Sequence, residues 1–128
     1  MTTPVYIEQV AAAALGASAE IAALCGNRVY PLKAPQGAAL PALTYRRVAG
    51  KPEYTLQGYS SESVVLALNS LAQSYEEAKA LALAVRAVMT APPIRAILQK
   101  EADLDDEKVE VPCVSAEYLC QQIGGHHG

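Results

Sequence analysis

Ile7, Val10, Ala11, Ala14 and Leu15 recur at the three-and-four spacing of a single helical face, so a first amphipathic helix is expected near the start of the chain. Thr3 followed by Pro4 reads as an N-cap with proline at the first helical position. Gly16 weakens or ends that helix. Ser18 then caps a short second piece running through Leu24 to a stop at Gly26-Asn27. A stronger stripe, Ala78, Leu81, Ala82, Val85, Val88 and Met89, lies further on behind a capping box of Ser74 and Glu77, and Pro92-Pro93 stops it.

Between and after the helices the period changes to two. Leu40 to Val48 alternates as a strand, with Leu43 and Tyr45 on one face and Thr44 and Arg46 on the other; Pro41 is permitted at a strand entrance. Before it, Val29 to Gly37 is irregular and reads as a loop, in which Pro35-Gln36-Gly37 suits a turn with proline second and glycine fourth. Gly50 to Ser61, with Pro52 and Gly58 among polar residues and two tyrosines, reads as a long connection reaching toward a neighbour.

Glu62 to about Leu71 follows as a strand. Val64, Leu66 and Leu68 share one face and Val65, Ala67 and Leu71 the other, the two-sided apolarity of a central strand. Ile94 to Leu104 is the next expected strand. Asp105-Asp106 supplies a turn, and Val109 to Gln122 closes the pattern with Val114, Ala116, Tyr118 and Cys120 facing inward. The order helix, strand, strand, helix, strand, strand predicts an α+β fold, a mostly antiparallel four-stranded sheet with helices packed on one face. Residues 1–123 are expected to form one domain, and Gly124-Gly125-His126-His127-Gly128 a flexible tail.

Composition narrows the function classes. The chain has 128 residues and is 52% hydrophobic but lacks Trp and Phe, so Ala, Leu, Val and seven Tyr must build a shallow core, and subunit contacts are expected to add stability. A net charge of −3, with no basic run longer than Arg46-Arg47, argues against gripping a nucleic-acid backbone. Cys25, Cys113 and Cys120 cannot all pair within one chain and include no C-x-x-C, which points to buried free thiols in a reducing compartment. Neither a secretory leader nor a membrane span is legible, so synthesis in the cytosol without export is expected.

Motifs for chemistry are incomplete. Gly16-Ala17-Ser18-Ala19-Glu20 misses the nucleophile elbow and suits capping. His126 and His127, the only imidazoles, sit at a terminus where no base is held in place, and without further ligands they make no native metal site. Asp103, Asp105, Asp106 and Glu107 crowd together, but the glycine of a calcium loop is replaced by Lys108. No phosphate loop or dinucleotide fingerprint is present. No catalytic residue, cofactor or metal is therefore expected. Arg46 and Arg47 suit contact with a phosphate or a partner's carboxylate, although alternation points them to opposite faces.

Asn27-Arg28-Val29-Tyr30-Pro31, Ala34-Pro35-Gln36-Gly37 and Leu40-Pro41-Ala42-Leu43-Thr44-Tyr45-Arg46-Arg47-Val48 resemble, in wording and spacing, the tail-completion or tail-terminator family of long-tailed bacteriophages. Tyr54-Thr55-Leu56-Gln57-Gly58, Ser74-Tyr75-Glu76-Glu77-Ala78 and Val114-Ser115-Ala116-Glu117-Tyr118 extend the resemblance over most of residues 5 to 120. It implies a virion protein forming a homo-oligomeric ring, commonly a hexamer, at the head-proximal end of the tail. The ring's partners would be the major tail tube protein and the head connector or stopper, and DNA would pass through it without sequence-specific binding. Arg46, Arg47, Tyr54 and Tyr59 are the candidate interface residues. A neck connector or adaptor is the alternative within virion assembly, and a small α+β enzyme or ligand-binding subunit the alternative of another class.

Overall fold

A computed structural model describes residues 7–55, 58–92, 94–104 and 111–123, with the side chains of 52–55, 58–62 and 122–123 excepted. The predicted start of the first helix at Thr3-Pro4 and the expected tail, 124–128, lie outside these residues. Helix α1 (Ile7–Ala17) buries Ile7, Ala11 and Leu15 along one stripe, and α2 (Ala19–Cys25) buries Ile21 and Cys25. Between them Ser18 accepts a hydrogen bond from Ile21 N at 3.3 Å, and the two axes meet at a 78° bend. Helix α3 (Tyr75–Thr90) starts as the capping box requires, with Ser74 Oγ accepting from Glu77 N at 3.2 Å. Its buried stripe is Ala78, Leu81, Ala82, Ala84, Val85 and Met89.

The sheet corrects the expected one. It has five strands, β1 (Val29–Pro31), β2 (Ala42–Thr55), β3 (Gly58–Leu71), β4 (Ile97–Leu104) and β5 (Cys113–Ile123), in the order β1-β2-β3-β5-β4. It is mixed, because β1 runs parallel to β2 while every other pairing is antiparallel. Three residues are too few for an alternation to register, so β1 reads as loop in the sequence. It is anchored by Leu43 N donating to Arg28 O at 2.9 Å and Leu32 N to Tyr45 O at 2.8 Å.

Three boundaries move for identifiable reasons. The expected connection at Gly50 to Ser61 is instead a hairpin of paired strand, with Lys51 opposite Ser63 and Tyr54 opposite Tyr59. Pro52 is tolerated there because β1 pairs with β2 only as far as Tyr45, so the outer edge of β2 at Pro52 meets no further strand. The fourth strand begins at Ile97 rather than Ile94. Arg95 has φ of 51°, which no strand residue adopts, and Ile94 tucks into the core instead. In the loop before β2, Ala38 N donates to Pro35 O at 3.0 Å, which makes Pro35 the first and Gly37 the third residue of the turn. Gly37 takes φ of 81°, the position of a type II turn that favours glycine.

All three helices lie on one face of the sheet. Leu43, Val64, Leu66, Leu68, Ala116, Tyr118 and Cys120 meet Ile7, Leu15, Ile21, Leu81, Val85 and Met89 in a single core. The predicted inner face of β5 and the Val64, Leu66, Leu68 face of β3 are therefore the faces beneath the helices. Each fully buried Leu there contributes about 1.5–3 kcal/mol.

Candidate functional site

The other face of the sheet carries no helix, and its register sorts the side chains into cross-strand rows. Arg46, Ala67, Glu117 and Lys100 form one row; Thr44, Asn69, Ser115 and Ala102 form the next. Beyond the charged row lies an apolar one of Ala49, Val65, Leu119 and Ile97, in which Ile97 is 64% exposed. Ala67 is short, so the chain opens between Arg46 and Glu117 into a hollow of about 240 Å³ lined by Arg46, Asn69, Lys100, Ala102, Leu104, Ser115 and Glu117. Asn69 Oδ1 is buried at this hollow without a hydrogen-bond partner among the described residues.

Two bulges bring these residues into phase. An extra residue at Val48 in β2 and another at Gln99 in β4 shift the alternation, so Ile97 and Lys100 share the open face although three positions separate them. Without the bulge Lys100 would face the helices. The polar alternation of Ser115 and Glu117 was available as a sequence signal for this face; the Gln99 bulge concealed Lys100.

The four predicted interface residues do not form one site. Arg46 lies on the open face and is exposed. Arg47, paired with Leu66, lies on the helix side, and its guanidinium folds over Gly50, where an added Cβ would come within 2.9 Å of Nη2. Tyr54 and Tyr59 are Cα partners on the hairpin ribbon, eight residues beyond Arg46 on β2 and thus roughly 25 Å away. The structure brings the tyrosine backbones together and keeps them apart from the arginines.

Helix α3 is fastened to β4 by polar contacts. Arg86 Nη2 lies 2.9 Å from Glu101 Oε2, Lys79 Nζ 3.6 Å from Glu101 Oε1, and Tyr75 Oη donates to Asp103 Oδ2 at 2.8 Å. Asp103 is thereby a strand residue bonded to a helix; Asp105, Asp106 and Glu107 lie outside the described residues. Beneath these contacts Tyr118 is fully buried, and burial pushes its phenol up to about 12 while the nearby Arg86 guanidinium pulls the other way. Among the described residues neither its hydroxyl nor Arg86 Nε has a hydrogen-bond partner of good geometry, although the Arg86 guanidinium lies close enough to the phenol to favour its ionised form.

All three cysteines are free and buried. Burial raises Cys113 and Cys120 to about 11 and also raises Cys25, so none is an activated thiolate. Among the described residues no group of three or more His, Cys, Asp or Glu is placed to hold a metal ion. Among the described residues no single helix is long and apolar enough to cross a membrane. The described residues present three surfaces: an open sheet face with a charged band, a projecting ribbon, and a helical face opposite.

A family model described as tail completion protein gp17 matches residues 10–110. Among solved structures the chain is similar to one in the virion of a native gene transfer agent particle, with a TM-score of 0.63 and 19% identity over 89% of this chain and 92% of that one. At that identity the likeness is one of fold. No curated protein matches the sequence significantly.

Proposed function

Because the chain belongs to the family of tail completion protein gp17, we propose that it is a tail terminator, a structural protein that closes the head-proximal end of a phage tail tube. Copies assemble into a ring, a hexamer being the form that the family resemblance implies. The ring stops addition of tube subunits and docks the tail to the head connector. The observation that carries this reading is the family match, which spans both the helical layer and four of the five strands.

The architecture supports it. A terminator must offer unlike surfaces to tube and connector, and this chain has an open sheet face with a charged band on one side and helices on the other. A heterologous contact repeated by rotation closes a ring without any catalytic step. The net charge of −3 suits a channel through which DNA slides, since a strongly basic lumen would retain phosphates.

Deletion of the gene, followed by electron microscopy of the particles made, tests the proposal. Heads should fill normally while tails remain unattached, with tubes that exceed the usual length. Normal particles, or a block before any tube forms, would show that the chain acts elsewhere in assembly.

A further inference from the structure

Leu32 is the most exposed large hydrophobic residue described, at 71%, and it sits at φ of 68°. Lys33 N donates to Pro31 O at 2.8 Å across it, which makes Leu32 the centre of a γ-turn with positive φ, a rare and strained conformation for a bulky residue. The turn is held from behind by Leu32 N donating to Tyr45 O at 2.8 Å. Nothing in the core requires this side chain, yet the backbone holds it out in water. Strain of this kind persists where a side chain has to be presented.

On the helical layer, where α1 bends into α2 beside the end of α3, lies an open groove of about 590 Å³. Small apolar residues line it, among them Ala14, Ala17, Ala87, Val88 and Pro92, with Glu20 at its rim. Alanine walls leave room that a branched aliphatic side chain fills. Next to Leu32 stands exposed Lys33, and neither Lys33 nor Glu20 is ion-paired among the described residues.

We propose that Leu32 of one copy docks into the alanine groove of the next copy, with Lys33 meeting Glu20 across the contact. Knob and groove share no residue, so each copy has both free to use with a different neighbour, and the contact propagates around a ring; a reciprocal two-fold pair would yield only linked dimers in the test below. The other exposed aliphatics fit less well. Ile97 lies flush in the row with Val65 and Leu119, and Leu83 lies on α3 itself, one turn from the Ala87 that lines the groove. This inference rests on the ring reading above.

Purified tails carrying Leu32→Cys with Ala87→Cys test it. Both positions are exposed, and the native thiols are buried, so only the introduced pair is free to oxidise. Non-reducing gels should show a ladder of linked multimers for the double variant, a single linked dimer where the two single variants are co-assembled, and monomer for either alone. Lys33→Glu should weaken assembly roughly fivefold, as expected of an exposed ion pair, and Lys33→Glu with Glu20→Lys should restore it. Rings visible by microscopy without cross-linking or charge-swap rescue would overturn the docking and leave the ring intact. A single copy per tail would overturn both.

Discussion

Substitution of Leu32 separates backbone strain from lost packing by the sign of a difference. Leu32→Ala removes most of the side chain but keeps a Cβ at positive φ; Leu32→Gly removes the side chain and the strain together. Fully burying a leucine is worth about 1.5–3 kcal/mol. With Leu32 71% exposed, under a third of that is at stake, so Leu32→Ala should cost about 0.6 kcal/mol. A residue with a Cβ in a left-handed conformation costs roughly 1–2 kcal/mol, against which glycine's extra freedom in the unfolded chain weighs about 0.5–1 kcal/mol. Leu32→Gly should therefore be about 0.5–1 kcal/mol more stable than Leu32→Ala and level with the parent. For a chain of this size that is a difference of roughly 2–4 °C in Tm. Thermal melts followed by circular dichroism, checked by urea titration of the purified chain, measure it. If the two variants melt together, or the glycine variant melts lower, the turn at Leu32 is unstrained.

Tyr118→Phe deletes a buried hydroxyl that has no hydrogen-bond partner of good geometry among the described residues, so stability to urea should hold or rise by up to about 1 kcal/mol; a loss of stability would mean that the hydroxyl is bonded, with the Arg86 guanidinium as its partner. Cys113 and Cys120 are raised from 9.0 to about 11 and Tyr118 from 10.0 to about 12, so the unfolded chain releases these protons first. Stability should be unaffected by these groups below pH 9 and should fall as pH rises from 9 through 12; a flat profile across that window would contradict the burial of all three. Changing Tyr54→Ser with Tyr59→Ser on the hairpin ribbon should leave the melting temperature nearly unchanged but yield overlong or unattached tails, and normal tails would remove the ribbon from the interface.

Long-range periodicity carried most of the fold in the sequence. The stripe of α3, the capping serines at 18 and 74 and the inner face of β5 all stand where spacing puts them, because each is decided by local hydrogen bonding and one buried face. What was illegible depends on contacts between distant segments. Strand β1 exists only because Arg28 and Leu32 find β2, and the β2–β3 hairpin continues through Pro52 because pairing outweighs a weak local preference. The site was harder to read still. Arg46 was visible as a charge on an alternating strand, but Lys100 joins it through a bulge, and Leu32 owes its place to a turn for which the sequence carries neither glycine nor asparagine.

The two margins of the sheet are unlike its centre, and this bears on whether the sheets of two copies can join edge to edge. At one margin β1 ends after three residues in Pro31 and the γ-turn, too short to template another strand. At the other, β4 is interrupted at Gln99 and carries three charges within four residues, Lys100, Glu101 and Asp103. Short length, proline, bulges and charge are the devices that stop free backbone groups from recruiting a second sheet. At these two margins, therefore, the sheet offers a second sheet little free backbone to pair with.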